Sequence, residues 1–117
     1  MARAIDGIFA ILLLIGALLH AYGTVTSYPA GSEVFVWSLA ASLAAGLIAV
    51  LNLLRRERPG DRALAVICLA ASLTWAAVAF AFGEAIGNVV DPRVLWHAIA
   101  ALALALFSLK SLTVRQP

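Results

Sequence analysis

The chain has 117 residues, of which 64% are hydrophobic and 12% charged, with a formal net charge of +2. Its mean hydropathy is +1.03, whereas a soluble domain carries about 45–50% apolar and about 25% charged residues. That balance excludes an ordinary water-soluble domain, a disordered chain and a disulfide scaffold. The single cysteine, Cys68, cannot form a bridge within one chain, and the scattered basic residues give no patch for a nucleic-acid partner.

The charges divide the sequence into four uncharged runs, 7–32, 34–54, 63–83 and 94–109. A bilayer core of about 30 Å needs about 20 helical residues. The first three runs meet that length directly. The fourth meets it when Lys110 snorkels to the interface, which carries the span to about Val114. The runs lack the period-two alternation of barrel strands and are rich in Ala and Leu, good helix formers. The expected fold is an all-α membrane protein, a single domain of four transmembrane helices at about 5–27, 34–54, 62–84 and 92–113.

The first segment has signal-peptide features, with Arg3 followed by the apolar run 8–19. Asp6 and the lack of a small-x-small site favour a retained span. Asp6 itself reads as a complement to the helix dipole. The loops fall at Pro29-Ala30-Gly31, Pro59-Gly60, Gly87-Asn88 and Asp91-Pro92, with Asp91 capping the last helix.

Four spans place Arg3, Arg55, Arg56, Arg58, Arg62, Lys110 and Arg115 on one side. Only Arg93 lies on the other, with Glu33, Glu84 and Asp91. The positive-inside rule then puts both termini and the 55–62 loop in the cytoplasm of an inner (plasma) membrane. The arginine cluster sets topology, and contact with anionic lipid is its other available role.

The two halves resemble each other. His20-Ala21-Tyr22-Gly23 is echoed by Phe80-Ala81-Phe82-Gly83, and Val36-Trp37-Ser38-Leu39 by Leu95-Trp96-His97-Ala98. Each half is one helical hairpin, and two hairpins of equal direction imply a parallel repeat about an axis along the membrane normal. In that register His20 matches Phe80 and His97 matches Ser38, so each histidine departs from its partner half.

Opposite chain directions bring His20 and His97 to similar depth, in the half of the bilayer away from the arginine cluster. Ionisable groups within a span are costly and are functional candidates. The plainest reading gives each imidazole a hydroxyl, carbonyl or water partner, with Ser38, Ser42 and Ser72 to hand. A second makes them axial ligands of haem b, with Arg93 pairing a propionate. A third gathers His20, His97 and Glu84 into a transition-metal or proton site. The candidate cofactor residues are thus His20, His97 and Arg93, and the candidate ligand or proton-site residues are Glu84, Tyr22, Trp75 and Trp96. Trp37 and Trp96 suit an aromatic belt, while the deeper Trp75 needs a partner for its ring N–H. Asn52 reads as interfacial or as an interhelical hydrogen-bonder. Ser38, Ser42 and Gly46 form a small-residue stripe suited to close helix packing.

No phosphate loop, dinucleotide fingerprint, metallopeptidase motif or nucleophile elbow occurs, and no catalytic residue is proposed. The length and span count resemble the small multidrug-resistance exporters, but the first span lacks the midplane carboxylate of that family. The expected role is a non-catalytic accessory or assembly subunit, or a membrane-embedded ligand-binding module. It would work among membrane lipids as a homo-oligomer or in a larger membrane complex. The alternatives are a haem- or metal-binding electron-transfer protein and a small transporter or channel subunit.

Overall fold

The structure, a computed structural model, describes residues 1–113. It contains four helices, α1 (Ala2–Ser27), α2 (Glu33–Glu57), α3 (Arg62–Ala85) and α4 (Pro92–Thr113). All four are long and apolar enough to cross a membrane, and no strand occurs among the described residues. The protein is a four-helix membrane bundle with extents of 53 × 26 × 22 Å. Helix ends agree with the sequence expectation to within three residues, and α1 and α2 extend furthest beyond it. Val114 and Arg115, named above for the last span and its basic end, lie outside the described residues.

Local chemistry fixes the ends. The Ser32 hydroxyl accepts from the Phe35 N–H, and the Asp61 carboxylate from the Leu64 N–H, the side-chain caps that satisfy first-turn donors. Asp91 does the same for α4, its Oδ1 lying 2.9 Å from the Arg93 N–H. The α3 terminus closes as a Schellman motif: Asn88 N–H donates to Gly83 O and Gly87 N–H to Glu84 O, with Gly87 at φ 69°, where a side chain would be strained.

The helices pack as two hairpins, α1 against α2 and α3 against α4. The hairpins join along α1–α4 and α2–α3, with α2 and α4 approaching across one diagonal. The interior is made of small side chains. Ala10, Ala17, Ala45, Ala49, Ala76 and Ala101 are buried, and Leu13 and Leu104 are the largest fully enclosed apolar groups. The bulky groups point outward: Leu18, Leu43, Ile67 and Leu106 are each more than half exposed. In water such a surface would aggregate. In lipid it is the expected arrangement, because helix association there depends on close backbone approach and hydrogen bonds.

Candidate functional site

Two polar clusters lie inside the bundle. The first is in the half away from the arginine-rich loop. His20 on α1 and His97 on α4 meet edge to face, with ring centroids 6.4 Å apart and planes at 79°. Trp75 on α3 joins them, its Nε1–H donating to His97 Nδ1 at 3.1 Å. An imidazole nitrogen that accepts carries no proton, so His97 is neutral and protonated on Nε2.

The tautomer of His20 follows from a ring of hydroxyls. Thr24 spends its proton on the His20 carbonyl at 2.9 Å. Its Oγ1 lies 2.6 Å from Ser38 Oγ, so Ser38 is the donor there. Ser38 Oγ also lies 3.1 Å from His20 Nε2, and with its own proton committed it accepts from His20 Nε2–H. The loop of three donors closes on the helix it left. Ser38 is thus the hydroxyl partner foreseen for a histidine. Ser42 turns instead to the Ser38 carbonyl and Ser72 to Asn52.

Gly16 holds the α1–α4 approach. A Cβ there would lie 2.9 Å from Trp96 Cδ1 and Nε1 and 3.1 Å from His97 Cε1. The missing side chain leaves the Leu12 carbonyl open to Trp96 Nε1–H at 2.8 Å. Trp96 is therefore tied to α1.

The other residues singled out in the sequence do not join this cluster. Tyr22 is exposed. Arg93 bonds Asp91 through two guanidinium nitrogens, at 2.9 and 3.0 Å, and its Cζ lies 5.4 Å from the Phe82 ring centroid. Glu84 is exposed, and no three His, Cys, Asp or Glu side chains converge for a metal among the described residues. Each imidazole commits one nitrogen to a neighbour, His20 Nε2 to Ser38 and His97 Nδ1 to Trp75, and Arg93 does not join them.

The second cluster lies at the basic end and escaped the sequence reading. Arg55 is 4% exposed and Asp6 5%. Arg55 Nη2 donates to Asp6 Oδ1 at 2.7 Å, its Nη1 to Ser111 Oγ at 2.9 Å and to the Phe107 carbonyl at 3.3 Å, and its Nε to Asn52 Oδ1 at 3.3 Å. Asn52 Nδ2 donates to Ser72 Oγ at 3.2 Å, and Ser108 Oγ lies 3.2 Å from Asn52 Oδ1. One network thus touches all four helices. Asp6 is a buried ion-pair partner, and the dipole reading is corrected: it lies beyond the first turn of a helix that starts at Ala2. Asn52 takes the interhelical role. The legible signal was the three-residue spacing of Asn52 and Arg55, which puts both on one helix face.

Together the fold and its two clusters define a four-span helical membrane protein whose intramembrane polar groups are paired with one another. No family model matches the chain, and neither curated proteins nor solved structures give a match.

Proposed function

We propose that this is a non-catalytic accessory or assembly subunit, working within a larger membrane complex or as a homo-oligomer. One observation carries the reading. Among the described residues, no buried side-chain nitrogen or oxygen lacks a hydrogen-bond partner. Most polar groups inside the spans are spent on tying helices together, which favours a packing role over chemistry on a substrate. Recognition then falls to the lipid-facing surfaces and their rims, since the connections 28–32, 58–61 and 86–91 are short. Arginine counting supports an inner-membrane location with both termini cytoplasmic.

Purification in a mild detergent with native mass spectrometry tests this. The expected species is a multiple of the 12.3 kDa chain or a complex with a second membrane protein. A monodisperse monomer carrying a prosthetic group overturns the proposal. A colourless, metal-free preparation is the expected spectroscopic result. Solute flux in liposomes that fails on His20→Ala or Glu84→Gln would instead favour the transporter alternative.

A further inference from the structure

At the basic end, α1, α2 and α4 leave a cavity of about 200 Å³, lined by Arg3, Asp6, Arg55, Arg56, Phe107 and Lys110 among others. The charge on its floor is cancelled, because Arg55 and Asp6 are paired with each other. The charge on its rim is not. Arg3 and Arg56 both turn to one carboxylate, Glu57, at 3.1 and 3.0 Å, and among the described residues no carboxylate pairs with Lys110. Three cations thus line the cavity, and two of them share one carboxylate beside it.

The cavity is built into the sequence. Gly7 lies next to the lining residue Asp6 on α1, and a Cβ at Gly7 would collide with the Arg56 guanidinium. The glycine therefore lets that guanidinium lie against the α1 backbone. The position along the chain is equally specific: Gly7, Arg55 and Lys110 mark where three apolar runs meet charge, the kind of boundary at which a span reaches the headgroups. Phe107 also lines the cavity, an apolar residue suited to glycerol and acyl carbons rather than to a free ion.

We propose that this cavity binds the phosphate of an anionic phospholipid headgroup, held by the Arg3 and Arg56 guanidiniums and the Lys110 ammonium. A guanidinium offers a planar fork to phosphate oxygens and an ammonium offers a point charge. Basic pockets between spans at the cytoplasmic face are suited to such headgroups. Soluble phosphate shares the oxyanion chemistry, and the apolar wall argues for the lipid.

The test uses the full chain in nanodiscs and in neutral detergent. Native mass spectrometry follows retention of phosphatidylglycerol against phosphatidylcholine, and thermal stability is read with inorganic phosphate alone. Arg3→Gln with Lys110→Gln should weaken phosphatidylglycerol retention by about 30-fold, from about 1 kcal/mol per surface cation. Arg58→Gln with Arg62→Gln removes the same charge at the same end, outside the cavity lining, and should leave retention unchanged. Lys110→Arg alone should also preserve it. Equal loss in the two double variants, or equal retention of phosphatidylcholine by the unaltered chain, overturns the proposal. Displacement of the lipid by millimolar inorganic phosphate overturns the assignment to lipid.

Discussion

The two polar clusters solve the same problem by opposite means. At the basic end a full charge pair is buried, Arg55 makes four hydrogen bonds, and the network reaches all four helices. At the far end the ionisable groups are imidazoles, each bonded to a neighbour through one nitrogen, and the packing of Gly16 against Trp96 matters as much as any bond. The charged cluster is expensive to break and the imidazole cluster cheap to alter. A protein built this way is anchored at one end and adjustable at the other.

That contrast can be broken first at Arg55. Arg55→Met leaves Asp6 buried without a partner, and losing one member of a buried pair costs about 3–5 kcal/mol. The loss should appear in unfolding by SDS in mixed micelles. Adding Asp6→Asn should restore part of it, and a double-mutant cycle without coupling would show the pair to be energetically idle. Next is Gly16→Val, which drives a side chain into the Trp96 ring. Overpacking of this kind costs about 1–3 kcal/mol. It should also free the Trp96 N–H from Leu12 and shift indole emission.

A smaller effect is expected for His97→Phe, which keeps the ring and removes the acceptor for Trp75. Hydrogen bonds within membrane bundles average about 0.6 kcal/mol, so the destabilisation should be near that value. It should be accompanied by a changed Trp75 environment in near-ultraviolet circular dichroism. A loss as large as that at Arg55 would erase the distinction between the two ends. The smallest effect concerns pH. Hydrogen bonds from Arg93 hold the Asp91 carboxyl below its usual range. A lowered folded-state value stabilises at pH above the unfolded value and is lost as pH falls through the folded one. Stability should therefore be flat from neutral pH to about pH 5 and show a slight fall below about pH 4. Asp91→Asn should remove the fall, and the exposed pair keeps it small.

The spans were legible because lipid imposes length and apolarity on each run separately, and glycine, proline and Asp91 mark the breaks. The similar depth of His20 and His97 followed from counting residues from opposite ends, but their meeting depends on which faces of α1 and α4 pack together. Arg55 was hidden by its neighbours: beside Arg56 and Arg58 it reads as one more topological charge, and only the approach of α1 and α4 shows that it faces inward. Asp6 was hidden for the same reason, since pairing depends on which face of α2 meets α1. The partner of Trp75 was foreseen as a need, but its identity depended on how α3 turns against α4.

The distribution of Arg55's partners along the chain bears on biogenesis. Asp6 precedes it and is present as soon as the second helix leaves the ribosome, so the first hairpin can enter the bilayer with its deepest charge already neutralised. The Phe107 carbonyl and the Ser111 hydroxyl arrive last. Until they do, the guanidinium holds unused donors where water is scarce. The closing helix therefore docks onto a waiting receptor, and a chain truncated before it would be left as an incomplete substrate for quality-control proteolysis.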